Sequence, residues 1–481
     1  MNKNRKLLNI LAGLGKEITV LSINEVSTDA GNKRIDISID HPVYATYCPE
    51  CGSAHIKKNG RDRRPSWAFH VPLGKRTQSR IIYSRQHFQC RDCLKRFSED
   101  IPWVYCGSHM TVPLSECITD DLSTLMTKDG IARINRIPVY YVELVLNNLT
   151  PSIPSYLPEV MCLDETFSEV EETHNGKTRW VNFVTNLSDG ETGELLDLLP
   201  FRTKKRLVHY FRDNFSYEER CKVRFLCCDM AEYYLRLVDE CFPNAIVCLD
   251  NYHVTNRLLK GLSEVRSRQQ DYLLSLSKAK NDPYYKAASD LKHLSHKLVT
   301  AAYNHSSFWG KKYEAYVSRI RQHLMSCPEL KDAYAMLQYF YIIFHLQCSY
   351  ESKVRDLDLW ISVFGKSTSE TIRKTVGSVS DHLKYIHNAW KNGYSNATCE
   401  GNNNVIQTLK DMSFGIHSFE YFRSRALLIA GKPRVTCHAS SDSGEALDCT
   451  SFFFDEFPAL QDYVLAYDWT NPHVDMSTKG V

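Results

Sequence analysis

Two C-x-x-C pairs, Cys48/Cys51 and Cys90/Cys93, with 38 residues between them, constrain this chain more than any other feature of its sequence. Two such knuckles offer four thiolates to one tetrahedral ion, and Gly52 follows the first pair where the knuckle must turn. A single pair would equally suit a redox centre. Two in one short region predict a zinc ribbon over residues 48–100, with Cys48, Cys51, Cys90 and Cys93 holding one structural Zn²⁺. The segment TQSRIIYSRQHFQC alternates apolar and aromatic positions, which predicts a strand running into the second pair.

Between Cys48 and Phe97 stand twelve Lys or Arg against three acids, a surplus of nine in a chain whose whole net charge is +3. The rest of the chain is therefore mildly acidic. Trp67, Phe69, Tyr83 and Phe88 are interleaved with the basic residues. A metal-stapled basic module with stacking side chains predicts nucleic-acid binding, with Arg61, Arg63, Arg64, Arg80, Arg91, Lys95 and Arg96 as candidate contacts. A protein-interaction module with solvated charge is the bland alternative. Residues 1–47 read as a short helix and strands leading into the ribbon. Residues 101–150 read as a helix-turn-helix, its turn at Arg136–Pro138 and its second helix beginning near Val139. Pro151–Pro158 reads as a linker.

From Glu159 the texture changes. EVMCLDETF predicts a buried strand ending at Asp164-Glu165, RWVNFVTNL a second strand, and ELLDLLPF a third after a tight turn. A helix at about 204–215, the strand KVRFLCCDM ending at Asp229, the helix AEYYLRLVDECF and the strand NAIVCLDNYHV follow. The order β-β-β-α-β-α-β predicts an α/β, RNase H-like core whose first part spans residues 159–256. Two apolar strands, each ending in an aspartate, bring carboxylates to one rim, a hard oxygen site for Mg²⁺ or Mn²⁺. Glu165 alternates to the opposite side of its strand; Asp250 and His253 fit a DNA contact or a supporting role beside a metal, and Asp250 equally a helix cap.

Residues 257–394 carry helical periodicity with little strand signal, a large helical insertion. Then comes SNATCEGNNNVIQTLK, residues 395–410, inside a last core segment of residues 395–431. Its acid Glu400 stands in a first helical turn with Asn403, Asn404 and Gln407 on the same face and Lys410 further along, a candidate DNA contact. Alone, this is a polar helix start capped by Ser395 or Thr398. Together with Asp164 and Asp229, Glu400 reads as a third metal ligand. Residues 432–481 form an acidic, aromatic tail of no assigned role. No stretch approaches the ~20 apolar residues of a membrane span, so no membrane partner is expected. The N-terminal apolar run is too short and interrupted for a leader, and most of the 17 cysteines sit singly in apolar runs, as in a reducing cytoplasm.

The motifs CPECGS…RDCLKRFSE, LDETF, CCDMAEYY…PNAIVCLDNYHV and SNATCEGNNNVIQTLKDMSFGIHSFEYFRSRAL, in this order over roughly residues 45–430, resemble the ISL-three family of DDE-class transposases. The resemblance implies an RNase H-like catalytic core with a helical insertion before the last acid, preceded by a zinc ribbon and helix-turn-helix. It implies Asp164, Asp229 and Glu400 as the catalytic, metal-binding triad with two Mg²⁺ or Mn²⁺ ions. It further implies cleavage and strand transfer at the terminal inverted repeats of a bacterial insertion sequence. The expected partners are double-stranded DNA, both transposon ends and target, and further copies of the chain on it; the expected location is the bacterial cytoplasm, on the nucleoid. Two rival readings share the N-terminal module: a DNA-binding regulator that has lost catalysis, and a nuclease that does not transpose.

Overall fold

The computed structural model describes residues 14–431, apart from 16, 28–32, 74–76, 150, 175, 295–318, 321, 346–348 and 413–417. The tail 432–481 and most of the expected N-terminal helix lie outside the described residues. The fold is mixed α/β, with three sheets and many helices among the described residues.

Strands β1 (Thr19–Ser27), β2 (Lys33–Asp40), β4 (Ser66–Leu73) and β5 (Thr77–Tyr83) form a sheet of order β1-β2-β5-β4. It closes over Ile37, Ile39, Ala68, Ile81 and Trp103. Strands β3 (Ile56–Arg61), β6 (Gln86–Cys90) and β7 (Arg96–Ser98) form a second sheet of order β3-β6-β7. The single strand expected over TQSRIIYSRQHFQC is thus two strands in two sheets. The break falls at Ser84-Arg85, where the Arg85 backbone N–H donates to the Asp62 carboxylate (3.2 Å) and the Asp62 N–H donates to the Arg85 carbonyl (3.1 Å). This reciprocal clamp turns the chain from one sheet into the other.

Three helices follow: α1 (Val112–Leu122), α2 (Lys128–Asn135) and α3 (Val139–Asn148). Thr111 and Thr127 cap the first two, their hydroxyls accepting from Leu114 (3.4 Å) and Gly130 (3.0 Å) backbone N–H groups. Arg136 takes the left-handed conformation (φ 56°) that ends α2, and Pro138 precedes α3. Leu114, Ile118, Ile131, Val142 and Val145 pack together and onto Phe69 of β4, so helices and sheet share one core.

The central sheet has the order β10-β9-β8-β11-β12. Strands β8 (Val160–His174), β9 (Lys177–Asp189) and β10 (Leu195–Leu199) form an antiparallel meander, while β11 (Phe225–Cys228) and β12 (Ile246–Leu249) run parallel to β8. Helices α4 (Lys204–Asn214) and α5 (Tyr217–Arg220) connect β10 to β11, and α6 (Glu232–Leu235) and α7 (Leu237–Cys241) connect β11 to β12. Three expectations change here. Strand β8 does not end at Asp164-Glu165 but continues to His174 as a hairpin with β9; small polar residues, Thr166 and Ser168, fill buried positions and mask the alternation. The helix expected over AEYYLRLVDECF breaks at Arg236 into two short turns. The strand expected over NAIVCLDNYHV stops at Leu249, and Asp250 precedes a 26-residue helix, α8 (Asn251–Leu276).

Against α8 pack α9 (Pro283–His293), α10 (Pro328–His345) and α12 (Glu370–Ser380), while α11 (Tyr350–Phe364) packs on α10 and α12, and α13 (Leu383–Asn392) lies against β12. Their core residues, among them Leu258, Leu262, Tyr334, Trp360 and Val376, are continuous with those of the central sheet. Helix α14 (Ala397–Met412) returns to lie on β8 and β9, and α15 (Phe419–Ala430) packs on β10. Arg423 of α15 pairs with Asp197 (2.6 Å) and donates to the Pro151 carbonyl (3.1 Å), so the stretch read as a linker is pinned to the core. Arg425, 1 % exposed, donates to the carbonyls of Thr124 (2.8 Å) and Met126 (2.9 Å) and ties α15 to the loop between α1 and α2.

Candidate active site

The cysteine pairs meet. Cys48 Sγ lies 3.6 Å from Cys93 Sγ, Cys51 Sγ lies 3.6 Å from Cys90 Sγ, and all four sulfurs fall within 4.8 Å of one another. Thiolates about 2.3 Å from a common tetrahedral centre stand ~3.8 Å apart, so the cluster fits the zinc of a ribbon. Backbone N–H groups of Cys93 and Asp92 hold the Cys90 thiol down at about 7, favouring the thiolate that a metal takes.

Asp164 lies inside β8 and is buried, Asp229 follows the last residue of the neighbouring β11, and Asp250 follows the last residue of β12. Parallel pairing of these strands brings the three aspartates to one end of the sheet. His253, one turn into α8, points Nε2 to 3.7 Å from Asp164 Oδ1 and 3.8 Å from Asp250 Oδ2. Glu400, in the first turn of α14, adjoins the same group. The acids converge more loosely than the thiols: among the described residues, only the four cysteines bring three or more ligand atoms within 4.8 Å.

An amide network joins α14 to the sheet. Asn403 Nδ2 donates to Asp164 Oδ2 (2.9 Å), while Asn403 Oδ1 accepts from Asn186 Nδ2 (3.1 Å) and the Thr166 hydroxyl. Asn402, fully buried, donates to the Ser188 hydroxyl (2.7 Å) and the Gly193 carbonyl (3.2 Å). The face of α14 is set by Cys399, Asn402, Ile406 and Leu409, all buried against the core. Asn404 is exposed and Gln407 donates to Asp411 (2.9 Å), so neither belongs to the network. The first helical bond of α14 runs from the Glu400 N–H to the Asn396 carbonyl (3.1 Å), the Ser395 hydroxyl accepts from the Ala397 N–H (3.4 Å) just before it, and the Thr398 hydroxyl faces Cys162 (3.3 Å) instead of capping.

The electrostatics mark the same place. Burial, then the charges of Asp250 and Asp164, push Glu400 up to about 7 against the opposing pull of His253. Burial likewise raises the pKa of Asp229 and of Asp250 from its ordinary value. Burial disfavours a charged His253, but the nearby carboxylate of Asp164, with Asp250 and Asp229 beyond, outweighs it and raises the imidazole pKa. Asp250 Oδ2, Glu400 Oε1 and His253 Nε2 are buried without a hydrogen-bond partner. Buried polar atoms left unpaired are costly, and a hard divalent cation satisfies several carboxylate oxygens at once. The residues present therefore fit a divalent metal.

The remaining candidates lie elsewhere. Glu165 points away from Asp164 and pairs with Arg202 (2.9 Å) and Tyr233. Arg61 pairs with Asp40 (3.1 Å), Lys95 with Glu50 (3.3 Å), and Arg63, Arg64, Arg91 and Arg96 are exposed on the ribbon. Arg80 turns inward and lies over the rings of Trp67 (4.0 Å) and Phe69 (4.8 Å). Lys410 lies over Phe167 (4.2 Å) and pairs with Glu169 (3.4 Å) on the β8–β9 hairpin. The sequence offered Asp250 and His253 for a supporting role beside the metal only as one of several readings, and Asn186 and Asn402 were not singled out. The one available signal was D-x-x-H directly after an apolar strand, which helix capping explains equally well; the Asp250 side chain makes no cap hydrogen bond.

The model of the ISL-three transposase family, described as Transposase, matches residues 161–426. That is more than half of the 481 residues and includes Asp164, Asp229, Asp250, His253 and Glu400. No curated protein matches the chain. The acid cluster and all but the first residue of the central sheet fall inside the matched region, and the chain belongs to the ISL-three family of transposases.

Proposed function

We propose that this transposase binds the terminal inverted repeats of a bacterial insertion sequence and cuts and rejoins DNA there, through a DDE triad of Asp164, Asp229 and Glu400 in an RNase H-like core. The observation that carries the reading is the bond from Asn403 to Asp164, which draws the helix bearing Glu400 onto the strand bearing Asp164 across more than 230 residues of chain. The sheet order, three antiparallel strands followed by two parallel ones, supports the RNase H-like assignment.

Two Mg²⁺ or Mn²⁺ ions held by the triad would supply the activation of an attacking water or 3′-hydroxyl and the stabilisation of the leaving oxygen. The chain's own part is positioning. Asn403 and the Glu165 backbone N–H (2.8 Å) fix both oxygens of Asp164. Asp229 is held by the Ala231 N–H (2.8 Å). His253 stands between Asp164 and Asp250 and offsets part of their charge. No side chain becomes bonded to DNA. The ribbon, residues 48–100 with one zinc, supplies the basic surface for transposon ends, and the helices of 101–150 act as a helix-turn-helix. Because α3 carries no Lys or Arg, its contribution is to read bases through exposed Tyr140 and Asn147, leaving phosphate contact to the ribbon. Residues 159–256 and 395–431 form the catalytic core around the insertion of 257–394. Two copies would act on paired ends in the bacterial cytoplasm, at the nucleoid.

The test uses DNA flanking the reading frame, where inverted repeats are expected. Wild-type protein with Mg²⁺ should cleave at the repeat and join the 3′ end to a second duplex, while Glu400→Gln should bind the repeat with unchanged affinity and cut nothing. Undiminished cleavage by Glu400→Gln removes that residue from the triad. Nicking without joining identifies a nuclease, and binding without any nicking in Mg²⁺ or Mn²⁺ identifies a regulator.

A further inference from the structure

We infer that the cleft between α8 and α12 is a second phosphate-binding track, which takes the DNA backbone leading away from the acid cluster. Helix α8 leaves that cluster at His253 and runs out through the insertion. At ~100° and ~1.5 Å per residue, Arg257, Lys260, Glu264 and Arg268 fall within a sector of about 80° that includes His253, over about 22 Å. They form one stripe that begins at the acids. Where α12 crosses this stripe, Lys374, Thr371 and Thr375 face it across an open cleft of about 270 Å³. The crossing is close because of Gly261, at which a Cβ would stand 2.6 Å from Thr375 Oγ1.

The charges in the cleft are not all spent. Arg268 donates to Thr371 Oγ1 (2.8 Å) and pairs with Glu329 (2.5 Å), and Lys374 pairs with Glu370 (2.7 Å). Arg257 and Lys260 are exposed and have no ion-pair partner among the described residues. Two free cations beside two more held in place, with hydroxyls behind them and two carboxylates, Glu264 and Glu370, limiting the excess, suit a monoanionic phosphodiester. Arg257 and Lys260 lie about 6 and 10 Å along the axis from His253, and a strand rising ~3.4 Å per nucleotide puts its first few phosphates beyond the scissile bond over them. This track rests on the proposed DNA chemistry and adds to it a DNA contact in the insertion, distinct from the basic ribbon.

Lysine acetylation of the full-length protein, read by mass spectrometry, tests the track with two probes: a duplex of about four helical turns, and inorganic phosphate at the same phosphate concentration. The duplex should protect Lys260 and Lys374, and inorganic phosphate should not. In a salt titration, Arg257→Ala/Lys260→Ala should lower the slope of log affinity against log salt by about 2, with an unchanged melting temperature because both side chains are exposed. Arg63→Ala/Arg64→Ala in the ribbon should weaken binding yet leave the protection of Lys260 by saturating duplex intact. Reactive Lys260 in saturating duplex with an unchanged slope would overturn the track, even if the wild type cleaves DNA. Equal protection by inorganic phosphate would overturn it as well, in favour of a small-anion pocket. Protection of Lys260 without any cleavage would uphold the track as a DNA contact while the catalytic reading falls.

Discussion

Asn403 donates one hydrogen bond, 2.9 Å long, to Asp164, and through it the last segment of the core reaches the first. The opposite end of the same amide accepts from Asn186 and Thr166, so its orientation is set by three partners on two strands. An amide held in this way fixes the carboxylate without adding charge to a place already crowded with it. Asn403→Ala should cost about 1–3 kcal/mol of stability, the range for a hydrogen bond to a charged group, and reduce cleavage on the order of tenfold or more. Asn403→Asp, which sets a like charge against Asp164, should do worse in both urea denaturation and cleavage assays. Equal behaviour of the two variants would show that charge at this position is irrelevant.

Glu400 gives a pH signature. Its pKa in the folded chain, about 7, lies above the ordinary value of 4.5, so the folded state binds the extra proton between those limits. The contribution of Glu400 to stability is then most favourable below pH 4.5 and is lost as pH rises to about 7, in the absence of divalent metal. The full shift corresponds to ~3 kcal/mol, and solvent screening of a partly exposed group reduces that to about 1 kcal/mol. Glu400→Gln should therefore be more stable than wild type at pH 8 and no more stable at pH 4.5. Melting curves at the two pH values decide it; a Gln variant that is less stable at pH 8 contradicts the assignment of burial as the dominant cause.

For the ribbon, metal analysis should find one zinc per wild-type chain and none in Cys90→Ser. Ligand loss removes the staple at one end of the β3-β6-β7 sheet, and limited proteolysis should then cut between Cys48 and Phe97 while the central sheet stays protected. Survival of zinc in that variant would place the ion elsewhere.

Arg425 offers a mechanical test. Burial lowers its pKa to about 10, and its partners are carbonyls rather than a carboxylate. Arg425→Met should leave the Thr124 and Met126 carbonyls without a donor, cost about 2–4 kcal/mol, and raise hydrogen exchange across residues 112–148. Arg425→Lys should not restore protection, because a single ammonium cannot copy the planar fork. Unchanged exchange in both variants would show that α15 does not hold the preceding helices.

What could be read from the sequence was whatever rests on spacing. The cysteine pairs, the apolar run ending in Asp229 and the helix bearing Glu400 are local patterns, and the structure has a four-sulfur cluster, a strand end and a first helical turn at those places. What could not be read depends on partners far along the chain. Thr166 and Ser168 look like loop residues until Asn403 and the Val181 carbonyl accept from their hydroxyls, which hid the length of β8. Which asparagine of the run 402–404 meets Asp164 is decided by how Ile406 and Leu409 seat α14 on the sheet. Nothing in the sequence marks Arg425 as buried, and only packing reveals it as an internal tie.

The distance along the chain between the ribbon and Glu400 also sets a schedule. The last cysteine of the ribbon is residue 93, whereas α14 cannot dock before residue 412 has been made. At roughly 5–20 residues per second, the ribbon is complete some 15 to 60 s before the last acid arrives. A nascent chain can thus fold its metal module, and meet nearby DNA, while its acid cluster still lacks Glu400.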